Sequence, residues 1–185
     1  TEIVRMIRKS GIVFDKVEIE AADVPFGIGS GSGVIFGVTG GVTEAVLRRL
    51  QQGHNRVDME SIKKSGVRGD DGIKVLTYNY NGREIKAAVV NGLANADKVL
   101  QQIKNHEAEY DFVEVMACRR GCIMGGGQPV NAGPRTRKAR MKGLYDTDVN
   151  TQIKKSNENP MILSLYDSLL KGKEHELLHR NFLGK

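Results

Sequence analysis

The dipeptide Asn81-Gly82 lies between two runs typical of β-strands, and this hairpin pattern constrains the fold of the 185-residue chain more than any other local feature. Asn-Gly favours a tight turn whose twist matches that of paired antiparallel strands. We therefore predict that Ile73–Tyr80 pairs with Arg83–Val90. A further β-type run, Asp111–Ala117, follows a predicted helix at Asn95–Lys104. The sequence thus predicts an α/β fold, a mixed sheet flanked by helices.

Further helices are predicted before and after this region from apolar residues at helical spacing. They are Thr1–Ser10, Val42–Gln52, 134 to about 155, 160 to about 172, and Lys173–His179. The helix at 95–104 is expected to carry Leu100 and Ile103 on its apolar side. Phe14–Ile19 is predicted as a brief strand. The start of the helix at 134 carries a basic cluster of Arg135, Arg137, Lys138, Arg140 and Lys142. Such a cluster is typical of a solvated helix face, although it would also suit an acidic protein partner.

The composition excludes several classes of protein. Hydrophobic residues make up 39% and charged residues 27% of the chain, which argues against wholesale disorder. No window approaches the roughly 18 apolar residues of a membrane-spanning helix, and the charged opening segment is no signal peptide. Because that segment begins inside a predicted helix without an initiator Met, we expect a fragment of a longer protein. The net charge of +6 attracts anionic partners, but the basic cluster lacks interleaved aromatic residues, so we expect no nucleic-acid partner.

Cys118 and Cys122 are the two cysteines of the chain. They are too close together in sequence to staple a fold, so we predict a reducing, cytoplasmic environment in which they are kept for chemistry. Thiolates are soft ligands that favour iron–sulfur clusters, zinc or copper(I). Two of them leave a four-ligand site half complete. The bare backbone of Gly125–Gly127 would let N–H groups approach an anionic cofactor. The alternative is that both cysteines are ordinary small buried residues.

Four segments, in order along the chain, resemble the [FeFe] hydrogenases. Glu114–Pro129 reads Glu-Val-Met-Ala-Cys-Arg-Arg-Gly-Cys-Ile-Met-Gly-Gly-Gly-Gln-Pro and is similar to the third cluster-binding motif of that family. Ser30–Ala45 resembles the family's glycine-rich segment ahead of a helix. Two further segments resemble its C-terminal tail: Asn157–Pro160 and His175–His179. The resemblance implies one lobe of the iron-only hydrogenase catalytic domain, with residues 1–155 as the C-terminal lobe and residues 156–185 as a helical tail like the small subunit.

The resemblance also implies a cofactor: a [4Fe–4S] cubane joined through one cysteine sulfur to a di-iron subsite that carries CO, CN⁻ and a bridging dithiolate amine. Cys118 would ligate the cubane, and Cys122 would bridge the cubane and the di-iron site. Met116 and Phe36 would line the di-iron pocket, and Gly37 would lie against the cofactor. The implied activity is the reversible reduction of protons to H₂. The family's other cubane cysteines lie upstream, so the expected partners are the N-terminal remainder of the hydrogenase and an electron carrier such as ferredoxin.

The sequence departs from the family pattern at three residues. Thr43 stands where the glycine-rich segment usually carries methionine. Arg119 and Arg120 occupy positions between the cysteines where small or other residues are usual. Two cations beside an anionic cluster would raise its reduction potential if they point towards it. The chain alone is expected to be inactive, because two thiolates hold only half of a cubane.

Three alternative functions stay open. A hydrogenase-like protein of iron–sulfur assembly shares a related cysteine motif and makes no hydrogen. A sensory hydrogenase would use H₂ as a signal. The third alternative is a zinc peptidase, because His175-Glu-Leu-Leu-His179 satisfies the signature His-Glu-x-x-His. The residues after it, Arg180–Lys185, contain no third ligand, and we instead expect a tail helix with Leu177 and Leu178 packed inward.

Overall fold

The structure, a computed structural model, describes residues 1–21, 23, 29–51, 56–69, 72–129 and 133–179. Among these residues a sheet of three strands forms in the order β1-β2-β3. The strands are β1 Ile73–Tyr80, β2 Arg83–Asn91 and β3 Phe112–Met116. β1 pairs antiparallel with β2, and β2 pairs in parallel with β3. With helices packed on this sheet, the predicted mixed α/β fold is confirmed.

The hairpin between β1 and β2 forms at the predicted turn. Asn81 and Gly82 both have left-handed backbone, with φ of 51° and 80°, as a type I′ turn requires. The side chain of Asn79 supports the turn, because its Oδ1 accepts the N–H of Gly82 at 3.1 Å. Tyr80 lies opposite Arg83, directly across the turn. Local turn chemistry therefore sets the register of the whole hairpin.

The described residues also form α-helices. They are α1 Glu2–Lys9, α2 Gly31–Val34, α3 Gly41–Leu50, α4 Arg56–Lys64, α5 Leu93–Lys104, α6 Pro134–Asn150, α7 Pro160–Asp167 and α8 Glu174–Leu178. The short helices α2 and α4 are additions to the predicted set. The strand predicted at Phe14–Ile19 is wrong. Phe14–Lys16 forms a 3-10 turn, and Ile19 is fully exposed. The apolar residues of this run are therefore not buried against a neighbouring strand among the described residues.

The two faces of the sheet bury two separate hydrophobic clusters. On one face, Leu47 of α3 and Ile62 of α4 pack with Leu76 of β1 and Val89 of β2. On the other face, α5 packs against β2, and the buried residues of this cluster are Ala88, Val90, Ala96 and Val99. The apolar side predicted for α5 is wrong, since Leu100 is 62% exposed. The helix packs on the strand through Ala96 and Val99, which contact the cluster that contains Ala88 and Val90 of β2.

A third cluster joins the glycine-rich segment, the cysteine segment and α6. Its buried members are Ile35, Val38 and Ile123. Leu144 and Tyr145 of α6 pack against them, together with Met124 and Met141. This cluster matters for function because it fastens the segment that contains the cysteines onto the segment that precedes α3.

The residues after α6 return to the glycine-rich segment. The N–H groups of Gly31 and Ser32 donate to the carbonyls of Ile153 and Lys154 at 2.8 and 3.1 Å. In the tail beyond, Leu177 and Leu178 of α8 are half exposed, so the expectation that they pack inward is wrong for the described residues. None of the helices in the described part of the chain combines the length and hydrophobicity needed to cross a bilayer.

Candidate functional site

The two cysteines lie on a loop that begins where β3 ends. Arg120 and Gly121 turn the chain with left-handed backbone, at φ of 70° and 79°. A 3-10 turn, Cys122–Met124, follows. Both cysteines are free thiols and both are exposed, which contradicts the alternative that they are ordinary buried side chains. The loop therefore presents two accessible soft donors on one short segment.

A glycine makes room beside the first thiol. A Cβ built on Gly125 would lie 3.1 Å from Sγ of Cys118 and 3.4 Å from its Cβ, closer than side chains normally approach. The N–H of Gly125 donates to the carbonyl of Cys122 at 3.1 Å. The same glycine therefore lies against the side chain of Cys118 and is hydrogen-bonded to the backbone of Cys122. The arrangement suits a bulky thiolate-bound group, because bare backbone lies where any other residue would crowd the sulfur. The donor set and its surroundings thus fit two of the four thiolates of an iron–sulfur cubane.

The cysteine loop lies directly on the glycine-rich segment. A Cβ on Gly121 would come 2.8 Å from the carbonyl oxygen of Gly37 and 3.1 Å from the nitrogen of Thr39. Gly37 in turn lies against α6, since a Cβ built on it would come 2.7 Å from Cδ1 of Leu144 and would require that side chain to shift. The structure therefore brings Gly37 and the cysteine loop together, two parts of the predicted site that are far apart in sequence.

Asn91, at the end of β2, ties these two segments together. Its side chain is buried, and Oδ1 accepts the hydroxyl of Thr39 at 2.8 Å and the N–H of Arg120 at 3.3 Å. Its own carbonyl accepts a hydrogen bond from Nδ2 of Asn95 at 2.7 Å. Because one buried amide reaches both the glycine-rich segment and the cysteine loop, their relative position is fixed by hydrogen bonds as well as by packing.

Glu114, in the middle of β3, plays a comparable part for α3. The carboxylate is buried and accepts hydrogen bonds from the N–H of Gly40 at 2.8 Å and from both the N–H and the hydroxyl of Thr43 at 2.7 Å. These donors lie at the first turn of α3, where backbone N–H groups have no partner within the helix. A carboxylate there also complements the positive end of the helix dipole. Glu114 therefore anchors α3 to the strand that leads into the cysteine loop.

The two residues predicted to line a di-iron pocket lie in different surroundings. Met116 is half-buried at the end of β3, and its carbonyl accepts the N–H of Gly92 at 2.7 Å. Phe36 is 46% exposed and lines a groove of about 610 Å³ between α3 and α7, with Val42 and Tyr166 among the other lining residues. The described lining of that groove includes neither cysteine. The roles assigned to Met116 and Phe36 stay predictions.

The described residues hold no group of three or more His, Cys, Asp or Glu side chains placed to bind a metal ion. The two thiols are two donors, fewer than the four of a cubane, and the half-site expected from the sequence stays a prediction. The rings of His175 and His179 stack with centroids 4.9 Å apart. No third donor joins them within the described part of the chain, and a peptidase zinc site needs three protein ligands.

Sequence reasoning missed three residues that build the site: Asn91, Glu114 and Arg140. Arg140 of α6 donates from Nη1 to the carbonyl of Ile123 at 2.7 Å, inside the turn that contains Cys122. For Glu114 a signal was present, because a charged residue flanked by two valines in a β-type run is unusual unless the charge has a buried partner. Asn91 and Arg140 carry no comparable local signal, since the side-chain contacts described for them join residues 16 or more positions apart.

A pair of free thiols on a glycine-lined loop, held by a mixed sheet against a second glycine-rich segment, defines an α/β lobe suited to binding an iron–sulfur cluster. The chain matches two families: residues 1–126 match "Iron only hydrogenase large subunit, C-terminal domain" and residues 134–183 match "Iron hydrogenase small subunit". The chain belongs to the iron-only hydrogenase large-subunit family.

Individual relatives support this assignment. The chain is 37% identical over 188 residues to "Iron hydrogenase 1" of Clostridium pasteurianum, a match that covers 96% of this chain and 33% of the relative. A solved structure of a variant of the [FeFe]-hydrogenase HydA1 from Chlamydomonas reinhardtii aligns with a TM-score of 0.66 at 31% identity, over 97% of this chain and 53% of that protein. The chain thus spans about a third of the first relative and about half of the second.

A second kind of relative is less similar in sequence. The "Cytosolic Fe-S cluster assembly factor narfl" of Xenopus tropicalis is 26% identical over 178 residues, covering 94% of this chain and 37% of the relative. The sequence is therefore similar both to proteins named as hydrogenases and, at lower identity, to a protein named as a cluster assembly factor.

Proposed function

We propose that this chain is the C-terminal part of the catalytic domain of an [FeFe] hydrogenase, which catalyses 2H⁺ + 2e⁻ ⇌ H₂. The observation that carries the proposal is the accessible pair Cys118 and Cys122, on bare backbone at Gly125 and fastened to the glycine-rich segment. The family membership and the higher identity to a named iron hydrogenase than to the assembly factor support it.

In this proposal Cys118 is a ligand of the [4Fe–4S] cubane, and Cys122 is the ligand shared between the cubane and the di-iron subsite. When bound, the cofactor supplies the electron transfer and the chemistry at hydrogen. The protein holds it in place, excludes water and tunes it. Met116, Phe36 and Gly37 are proposed to contact the di-iron part, and Phe36 would need to face the residues that complete the site.

The other cubane ligands come from the N-terminal remainder of the hydrogenase, which is the first proposed partner. An electron carrier of the ferredoxin type is the second, and a cytoplasmic location is part of the same proposal. The division into a lobe at residues 1–155 and a helical tail at residues 156–185 is also proposed. In this view the chain forms one wall of the cofactor cavity, so the 185 residues alone hold no catalytic cluster.

Hydrogen evolution from a reduced artificial donor tests the proposal. The longer protein that contains this chain, matured with both parts of the cofactor, should evolve H₂, and Cys122→Ser should abolish that activity. The 185-residue chain treated in the same way should evolve none. Hydrogen evolution by the chain alone would contradict the half-site, and an inactive longer protein with a fully loaded cofactor would contradict the catalytic role.

The second candidate function is iron–sulfur cluster assembly, favoured by the similarity to the assembly factor of Xenopus tropicalis. Both functions use the cysteine loop, but they differ in the residues upstream of the chain. A Cys-Cys-Pro motif and a later Pro-Cys-x-x-Lys motif in that region would support catalysis. A longer protein that binds only a cubane and passes it to an acceptor protein would support assembly.

A further inference from the structure

Three arginines lie on or contact the loop that contains the two cysteines, and they come from two different parts of the chain. Arg119 and Arg120 lie between Cys118 and Cys122 in sequence, and Arg140 reaches the same loop from α6. We propose that these three guanidinium groups form a cationic collar that raises the reduction potential of the cluster bound at the cysteine pair. The inference rests on the proposed function, because it requires an iron–sulfur cluster on Cys118 and Cys122.

The backbone at Arg120 is the first support. Its φ of 70° lies in the left-handed region, where an arginine is strained and a glycine is not. The buried side chain of Asn91 accepts the N–H of Arg120 at 3.3 Å, which helps to hold this conformation. Strained backbone persists where the surrounding structure enforces it, and such strain is concentrated at functional sites. A cation at this position thus comes with a conformational cost, which points to a role for its charge.

The second support is the position of Arg140. Its Nη1 donates to the carbonyl of Ile123 at 2.7 Å and lies 3.9 Å from Sδ of Met124. Both residues belong to the turn that begins with Cys122. The contact is partly buried, so solvent screens this charge less than it would an exposed one. The guanidinium is therefore held at the carbonyl of Ile123, the residue that follows Cys122 in sequence.

Arg119 completes the collar on the side of the sheet. It packs over the end of β2, where a Cβ on Gly92 would lie 3.2 Å from Cγ of Arg119. Neighbouring Cα atoms are about 3.8 Å apart, so the Cα atoms of Arg119 and Arg120 lie within about 8 Å of that of Cys118. This separation is comparable to the Debye length at physiological ionic strength, which is about 8 Å. Both side chains therefore begin within about one Debye length of Cys118, and in this proposal their guanidinium charges act on a group bound at the thiols.

The charges nearby reinforce this field. The first turn of α6 contains no acidic residue, and Arg135, Arg137 and Lys138 follow one another along it. Glu114, the acidic residue on β3, is directed toward the first turn of α3 through its hydrogen bonds with Gly40 and Thr43. Basic residues thus line the start of the helix that contacts the cysteine loop, while one acidic residue, Glu2, lies near the same loop next to Thr1, whose hydroxyl donates to the carbonyls of Gly127 and Gln128.

The electrostatic consequence has a fixed sign. One-electron reduction of the cluster, by the electron carrier or by an added reductant that is itself oxidised, adds one negative charge to the cluster. Cations close to it stabilise the reduced form more than the oxidised form, since attraction grows with the charge on the cluster. The three arginines therefore raise the midpoint potential, and removing any one of them lowers it.

A redox titration of the cubane in the longer protein, followed by electron paramagnetic resonance, tests the proposal. Arg120→Gln and Arg140→Gln should each lower the midpoint potential, whereas Arg120→Lys should keep it close to the wild-type value. Arg120→Gly should lower it as well, while thermal stability stays the same or rises because glycine relieves the strain. That combination separates an effect of charge from an effect on structure.

Arg83→Gln is the matched control. Arg83 lies at the hairpin turn and pairs with Asp111, at the opposite end of β3 from the cysteines, so the same loss of charge there should leave the potential unchanged. Equal potentials in the wild type, Arg120→Gln and Arg140→Gln would overturn the collar while leaving the proposed function intact. A longer protein that takes up no cluster would overturn the proposed function, and the collar with it.

Discussion

Arg48 of α3 and Asp148 of α6 form a bidentate ion pair, with Nη1 and Nη2 donating to the two carboxylate oxygens at 2.8 and 2.7 Å. The two side chains are 0% and 3% exposed. Glu44 accepts a further hydrogen bond from Arg48 at 2.6 Å and two from Arg68 at 2.8 Å. The cluster links the helix that follows the glycine-rich segment to the helix that packs on the cysteine loop.

Asp148→Asn should destabilise the protein by about 3 kcal/mol, because removing one partner of a buried pair leaves an uncompensated charge. Burial by itself would raise the pKa of Asp148, but the hydrogen bond and charge of Arg48, with the charges of Lys154 and Arg68, hold this pKa below its usual value. The free energy of unfolding in urea measures the loss. The exposed Lys142→Gln, which removes an ion pair with Asp146, is the control and should cost less than about 0.5 kcal/mol. Similar losses in the two variants would contradict the assignment.

The side chain of Tyr145 should keep its phenol proton at pH values above the pKa of an ordinary tyrosine. Burial is the main cause that raises the pKa of Tyr145 to about 12, and the charge of Arg68, 3.9 Å from the ring centroid, opposes it. The pKa in the unfolded chain is about 10. The stability linked to this shift is therefore fully present below pH 10 and is lost as the pH rises toward 12.

Tyrosinate absorbance and unfolding in urea at pH 9 to 12 (roughly the window that these pKa values define) check this prediction. Tyr145→Phe should lose stability less steeply across the window than the wild type. Tyr166→Phe, which removes a phenol that is 44% exposed, should follow the wild-type curve. A wild-type chain in which every tyrosine titrates near pH 10 would show that Tyr145 is not buried as described.

Thr43→Val should cost about 1 to 2 kcal/mol, because it removes the hydroxyl that donates to Glu114 and leaves a buried carboxylate oxygen with one donor fewer. Thr43→Ser keeps the hydroxyl and should lose less than half as much. The sequence left the threonine at position 43 unexplained, where the family pattern has methionine. In the structure Thr43 is fully buried and helps to anchor α3 through its hydroxyl. Equal losses in the two variants would mean that the methyl group, not the hydroxyl, stabilises this site.

Gly125→Ala should lower the iron and sulfide content of the longer protein, because the new Cβ would lie 3.1 Å from Sγ of Cys118. Gly126→Ala is the matched control, since a Cβ there meets nothing within 4 Å. Both variants add the same methyl group to neighbouring residues of one loop. Iron and sulfide analysis after reconstitution compares them, and equal content in the two would contradict the role given to the space beside Cys118.

The parts of the fold set by local chemistry were predictable from the sequence. Asn81-Gly82 forms the hairpin because both residues tolerate left-handed backbone. By contrast, α2 lies in a run of glycines, which disfavour helix. It forms because Ser30 caps it, accepting from the N–H of Gly33 at 3.2 Å, and because the residues after α6 hydrogen-bond to its first turn.

The candidate site likewise has one part that could be predicted from the sequence and one part that could not. The cysteine motif and the glycine-rich segment were recognisable as continuous stretches of sequence. Their contact through Asn91, and the approach of Arg140, depend on side chains brought together from distant elements. The pairing of Arg48 with Asp148 joins residues 100 positions apart. No local periodicity signals such contacts, because they arise only once the helices have packed.

The cluster content of the longer protein tests the central claim most directly. With iron and sulfide supplied, the wild type should bind a [4Fe–4S] cluster with its characteristic resonance signal after reduction. Cys118→Ser and Cys122→Ser should each lose most of the iron and sulfide and that signal, while the fold, measured by circular dichroism, is kept. A cluster present in full amount in either variant would contradict the account, because it would show that the cysteine pair does not form a wall of the iron-binding cavity.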